Sequence, residues 1–207
     1  MVSRLIEIFE DNSLKERIVS KLPYLFRIAE LESSRSGKIG MEVGCLRERI
    51  LVALLIYKFG ENNVETEIPT TEPEIDVLLF GYPISIKTIT GFGGVKFSWT
   101  VDAQKSREFV NNYTPTADVL LAQTVWNGEG GLFYIPLEAQ QRIFKIMRRT
   151  RYFKLPKEGT NPRGVEISKE SLLRLMNDKD TKSIKIIWRC LKIDHKPYER
   201  WLDYWKE

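Results

Sequence analysis

The sequence predicts one α/β (α+β) domain with helical edges, and three observations carry that expectation. Its 207 residues suit a single domain with a substantial core, without repeats or low-complexity segments. Segments with helical periodicity interleave with β-branched runs, which is the pattern of a mixed fold. Glu72–Thr88 holds two short apolar runs joined by Phe80-Gly81-Tyr82-Pro83, a hairpin signature around which the other elements can be ordered.

Residues 1–32 read as helical, with Asn12 or Ser13 capping a second segment and Pro23 opening a third. Ser33–Gly40, rich in hydroxyls, glycine and basic residues, reads as a flexible connector. A long helix then runs from Met41 to Phe59 and ends at Gly60. Its part Ile50–Tyr57 is apolar nearly all round, which predicts burial. A short strand (Asn63–Ile68), the hairpin, a glycine-rich turn (Thr90–Gly94) and a strand (Val95–Trp99) follow. Thr100 caps the next helix. Ala117–Trp126 reads as a buried strand, Leu132–Ile135 as another, and Pro136 starts a helix to about Met147. Lys157–Gly164 is a polar loop, Ser168 caps a helix through Met176, and Ser183–Leu191 is the last strand. Tyr198, Trp201, Tyr204 and Trp205 close the chain at helical spacing.

A two-residue turn at Gly81-Tyr82 would pair Phe80 with Pro83, Leu78 with Ser85 and Asp76 with Lys87. Strand alternation then puts Glu74, Asp76, Ser85 and Lys87 on one face and Ile75, Val77, Ile84 and Ile86 on the other. By itself such a pair is an ordinary cross-strand salt bridge. The rest of the chain bears on the choice between that and a reactive site.

Several classes drop out on composition. No run of some eighteen apolar residues occurs, so no membrane span is expected. The first residues carry acids within their apolar run, unlike a signal peptide. Cys45 and Cys190 lie far apart in apolar surroundings without metal-ligand spacing, which predicts reduced, buried thiols in a cytoplasmic protein. His195 is the only histidine. It falls in a polar turn where solvent exposure is expected, and a multi-histidine zinc site is impossible. Catalysis would fall to carboxylates, lysine and an oxygen-liganded metal.

The net charge of +4 is modest, but its distribution is uneven. Arg142, Lys145, Arg148, Arg149, Arg151, Lys154 and Lys157 follow one another without an acid, interleaved with Phe144, Tyr152 and Phe153. A polyphosphate partner requires such a block; a solvated helix end is the alternative reading. On the long helix, Glu48 shares a stripe with Gly44, Cys45, Val52 and Leu55. Burying it there would be costly without a metal or cation partner. Free N–H groups of the first helical turn, with the Gly37–Gly40 loop, would suit a phosphate.

This order, a helix with Glu48, a strand, a hairpin with Asp76 and Lys87, then a helix and strand, resembles the PD-(D/E)XK nuclease superfamily. The resemblance implies a restriction-endonuclease-like core with a central mixed sheet flanked by helices. It casts Glu48 and Asp76 as carboxylates holding Mg²⁺, and Lys87 as the lysine that positions or deprotonates the attacking water. Ile75 replaces the usual proline, and Ser85 stands where the pattern has a second acid. Glu48, then Asp102, then Glu74 are candidates to replace that carboxylate, with Ser85 a weak ligand.

The string Ala29–Arg49, together with Ile84-Ser-Ile-Lys-Thr-Ile-Thr90, is more specifically similar to the ThaI-type type II restriction endonucleases. That similarity implies a homodimer on double-stranded DNA, cutting CG/CG to blunt ends with Mg²⁺. It also implies a methionine that intercalates between base pairs, matched here by Met41; packing in a core or dimer contact is the alternative. Residues 1–40 would form a helical region and connector, 41–135 the catalytic core, and 136–207 DNA-binding and edge elements of one nuclease domain. Arg148, Arg149, Arg151 and Lys154 would contact backbone. Arg35, Lys38 and Arg163 are candidates for guanine readout, because Arg or Lys on O6/N7 is the commonest specific contact. A junction or repair nuclease, or a non-enzymatic DNA-binding module with a plain Asp76–Lys87 salt bridge, are the other functions compatible with these residues.

Overall fold

A six-stranded mixed sheet forms the centre of the computed structural model, which describes residues 3–35, 38–40, 42–69, 74–98, 103–155 and 164–206. In chain order the strands are β1 (Ser34–Arg35), β2 (Lys38–Ile39), β3 (Val64–Glu65), β4 (Val77–Leu79), β5 (Tyr82–Thr90), β6 (Val95–Ser98), β7 (Asp118–Thr124), β8 (Gly128–Ile135), β9 (Phe153–Lys154), β10 (Val165–Ile167) and β11 (Lys182–Trp188). The helices are α1 (Glu7–Glu10), α2 (Asn12–Glu32), α3 (Val43–Phe59), α4 (Ala103–Asn112), α5 (Leu137–Tyr152), α6 (Lys169–Met176) and α7 (Glu199–Lys206). The sheet order is β11-β8-β7-β5-β4-β3, with β5 and β7 parallel and the other neighbours antiparallel. Every residue of β7 is buried, as a strand covered on both faces requires.

One apolar cluster joins α1, α2 and α3 to Ile84 and Ile86 of β5 and to Leu120, Leu132 and Trp188. The second cluster lies on the other face. There Ile89, Val119 and Leu121 meet α5, α6 and a small three-stranded sheet of β6, β10 and β9. No described helix is long and apolar enough to cross a membrane.

Several sequence expectations give way to the structure. Pro23 does not open a third helix. It sits buried inside the 21-residue α2, which Asp11 caps by accepting from Leu14 N at 3.0 Å. Within Ser33–Gly40, β1 and β2 form a small antiparallel hairpin in place of a flexible connector, with Arg35 opposite Lys38. The segment Ile50–Tyr57 is only partly buried: Leu51 and Leu55 reach the core, whereas Ala53 and Tyr57 face out. β9 and β10 are additional short strands. β6 pairs with β10 and stays out of the main sheet. Cys45 and Cys190 are both exposed and free, one on the outward side of α3 and the other beyond the end of β11. His195 is half-buried, not open to solvent.

The hairpin also closes one residue earlier than expected. Phe80 and Gly81 form its turn with φ of 51° and 75°, the two positive values a type I′ turn needs. Leu79 therefore pairs with Tyr82, Leu78 with Pro83 and Val77 with Ile84. Continuing that register puts Asp76 opposite Ser85, not Lys87. The shift along the partner strand is two residues, so the facing of every side chain survives.

Candidate active site

Asp76 stands where β4 gives out. Its backbone N–H donates to Ile84 O at 3.0 Å, and its carboxylate takes over from the ladder. Asp76 Oδ2 accepts from Ile86 N at 2.6 Å, from Lys87 Nζ at 2.9 Å and from Ser85 Oγ at 3.3 Å. The two residues beyond its own pairing position thus fix one oxygen, and the carboxylate stays about 31% exposed. Lys87 is nearly buried, with Nζ 5.8 Å from the centroid of the Phe97 ring. A hydrogen-bonded acid–lysine pair therefore joins the residue before β4 to the buried middle of β5, open to solvent on the acid's side.

The third member comes from α3. Arg47, Leu51, Leu55 and Phe59 form the buried stripe of that helix at i, i+4 spacing. Glu48, one position round, lies half-buried at the margin of the stripe, facing the pair. Burial, then the negative charge of Asp76, push its carboxyl up to about 7, with Lys87 pulling the other way. Glu48, the third residue the sequence reading groups with Asp76 and Lys87, therefore lies near enough to both to feel their charges.

The remaining acid candidates divide. Glu74 is buried and fully engaged: it accepts from Tyr113 Oη at 2.8 Å, from Thr116 Oγ1 at 2.5 Å and from Thr116 N at 3.2 Å. It fastens the hairpin to the α4–β7 connection and is not available as a ligand. Ser85 is wholly buried behind Asp76. Its hydroxyl positions that carboxylate; the sequence had placed it as a weak metal ligand. Asp102 lies outside the described residues, as do Met41, Arg163 and Lys157.

A brace absent from the sequence reading holds α3 in place. Glu30 of α2 is 2% exposed and accepts from Arg47 Nη2 at 2.5 Å, Trp126 Nε1 at 2.7 Å and Arg27 Nη1 at 3.2 Å. Arg47 also donates to Thr90 Oγ1 at the end of β5, at 2.8 Å. The neighbour of Glu48 is thus tied to the strand that carries Lys87. One signal for it exists in the sequence: Arg47 lies four residues before Leu51, on the core-facing stripe, where an unpaired charge would be costly.

The basic block is largely occupied by its own fold. Arg142 bridges Asp178 and Asp180, Arg151 pairs with Glu170, and Lys154 lies 3.7 Å from Glu166. Arg149 donates to the carbonyls of Val110 and Tyr113, both at 3.1 Å. Phe144, Tyr152 and Phe153 form an aromatic cluster with Tyr113 in the core and are not stacking platforms. Arg148 is exposed at a left-handed break in α5, with φ of 58°. Lys38 is exposed on β2, beside the backbone of Arg35.

An oxygen-donor pocket of this kind suits a hard divalent cation. Two carboxylates share it with a single ammonium, and burial, reinforced by the charge of Asp76, raises the Glu48 carboxyl to about 7. Among the described residues no group of three acidic, histidine or cysteine side chains gathers. Mg²⁺ needs no such cage, since one or two carboxylates with substrate phosphate and water commonly complete its shell.

The family model described as restriction endonuclease ThaI matches residues 8–207 of the chain. Comparison with the curated proteins gives no match. Among solved structures, a restriction endonuclease in complex with substrate DNA is similar over 99% of this chain and 99% of its own, at 54% sequence identity and a TM-score of 0.93.

Proposed function

The chain belongs to the ThaI restriction endonuclease family, and from that premise we propose that it hydrolyses DNA as a Mg²⁺-dependent homodimer, cutting CG/CG to blunt ends. It is a site-specific deoxyribonuclease by membership. The observation supporting metal-dependent hydrolysis is the Asp76–Lys87 pair at 2.9 Å beside a Glu48 raised to about 7, and family resemblance alone suggests the homodimer, the CG/CG site and the blunt ends.

Phosphodiester hydrolysis needs a water aligned opposite the leaving oxygen, and relief of the charge that builds on the non-bridging oxygens. Asp76 and Glu48 would hold Mg²⁺, which would supply Lewis acidity at the phosphate. Lys87 is kept from wandering by Asp76, so its ammonium can orient the attacking water and donate to a phosphate oxygen. Ser85 and the Ile86 amide fix the Asp76 carboxylate, so its position costs no reorganisation when DNA arrives. Glu48 must give up its proton before it can act as a ligand.

For DNA contact, Arg148 and Lys38 are the exposed candidates, and Arg35 and Arg163 extend the set. Arg149, Arg151 and Lys154 would have to exchange an internal partner for a phosphate. Met41 is proposed as the wedge entering a base step. Such insertion costs a few kcal/mol, which added contacts offset.

Digesting CpG-rich plasmid with Mg²⁺ and sequencing the ends tests this reading. Blunt ends within CG/CG are expected, and Asp76→Ala or Lys87→Ala should lose cleavage while still binding DNA. Full Mg²⁺-dependent cleavage by either variant would overturn it.

A further inference from the structure

Among the described residues two apolar surfaces remain open, and their shapes are opposite. One is concave. Leu25 of α2 and Ile50, Leu54 and Tyr57 of α3 line a groove of about 420 Å³, with the buried Leu14 and Ile18 at its floor and Arg17 donating to Tyr57 Oη at 3.0 Å across it. The other is convex. Around α7, Tyr198, Leu202 and Trp205 recur at i, i+4 and i+7 and are 72%, 54% and 89% exposed. That spacing is how an amphipathic helix anchors in a hydrophobic groove.

We propose that α7 of one copy docks in the α2–α3 groove of a second copy, and that two such contacts related by a twofold axis hold the dimer. The area is modest. The three anchors of each copy expose roughly 400 Å², so two symmetric dockings cover roughly 800 Å² of anchor surface, which with the smaller groove walls lies at the low end of specific interfaces. Charge is compatible: Arg17 and Lys21 border the groove, and Glu199 and Asp203 flank the helix stripe. Those acids now pair with Lys196 and Lys206 on the surface, at 3.1 Å each, and such exposed pairs exchange at little cost. In its own chain α7 lies beside Glu32, at the far end of α2 from the groove residues Leu14–Leu25. The reciprocal arrangement makes each copy both donor and acceptor, so the assembly closes at two.

This inference rests on the reading that two copies act together, and the experiment separates the two claims. In a background with Cys45→Ser and Cys190→Ser, full-length chains carrying Ala53→Cys and differently tagged chains carrying Leu202→Cys are mixed and oxidised. A disulfide between the two tags is expected. Sedimentation of the parent chain should give a dimer, and Leu202→Ala with Trp205→Ala should raise its dissociation constant at least 100-fold. The melting transition of that variant at monomeric concentration shows that the fold is intact, since neither residue belongs to the core. A dimer without the cross-link overturns the surface while leaving the two-copy reading standing. A monomeric parent overturns both. A further chain carrying both Ala53→Cys and Leu202→Cys is oxidised alone at monomeric concentration, and an internal disulfide there with none between the two tags shows α7 covering its own groove and overturns the proposal.

Discussion

Glu48→Gln should stabilise the metal-free protein at alkaline pH while abolishing cleavage. The Glu48 carboxyl lies at about 7 in the folded chain against an ordinary 4.5. Between those values the native state keeps a proton that the unfolded chain releases. Native protein then binds more protons than unfolded, so stability falls as pH rises through that window and levels off above about 7. At about 1.4 kcal/mol per pH unit, the cost of ionising Glu48 reaches at most about 3 kcal/mol. Glutamine fills the same space with nothing to ionise. For a chain of this size each kcal/mol moves Tm by roughly 2–4 °C, so the variant should melt up to roughly 6–12 °C above the parent at alkaline pH. Near pH 3.5, below the ordinary carboxyl value, Glu48 is neutral in both the folded and unfolded chain and the difference should vanish. Scanning calorimetry with chelator at both pH values gives the comparison directly. Adding Mg²⁺ should stabilise the parent more than the variant. A shift equal at both pH values, or none at alkaline pH, would refute the raising of the Glu48 carboxyl by burial and by the neighbouring Asp76.

Three further outcomes follow from the same geometry. Ser85→Ala removes the longest of the three donors to Asp76, so single-turnover cleavage should fall less than about tenfold; a loss as deep as that of Asp76→Ala would restore Ser85 as a ligand. Glu30→Ala strands Arg47 as a buried, unpaired cation and should cost about 3–5 kcal/mol in a urea titration. The slope of log affinity against log salt should drop by about 1 for Arg148→Ala. Arg142→Ala should leave that slope unchanged, because Arg142 is held by Asp178 and Asp180.

Local rules recovered what local forces determine. Side-chain alternation put Asp76, Ser85 and Lys87 on one face, and Ser168 caps α6 with its side chain accepting from Ser171 N, as its residue type predicts. The position of the turn was not legible, because it places Phe80 at positive φ, where a bulky residue is seldom found. Glu74 looked like a free acid because its partners Tyr113 and Thr116 arrive from 39 and 42 residues away. The basic block looked unpaired for the same reason: Asp178, Glu170 and Glu166 come from elements beyond it. The stripe of α3 was misplaced by one residue, about 100° of helix rotation. That difference separates Arg47, bound inward to Glu30, from Glu48, turned toward the site.

The Phe80–Gly81 turn gives the site a parity. Sliding a two-residue turn along the chain by one position moves the partner by two, and side chains repeat with period two, so such slides leave Asp76 and Lys87 on the same face. Lengthening or shortening one strand by a single residue is different in kind. It would leave the apolar set on one strand facing core while the other strand's set turned to solvent, and Lys87 would leave Asp76. Even steps of register in this hairpin therefore preserve the shared face of Asp76 and Lys87 and odd ones destroy it, a constraint set by backbone geometry before any chemistry at the site begins.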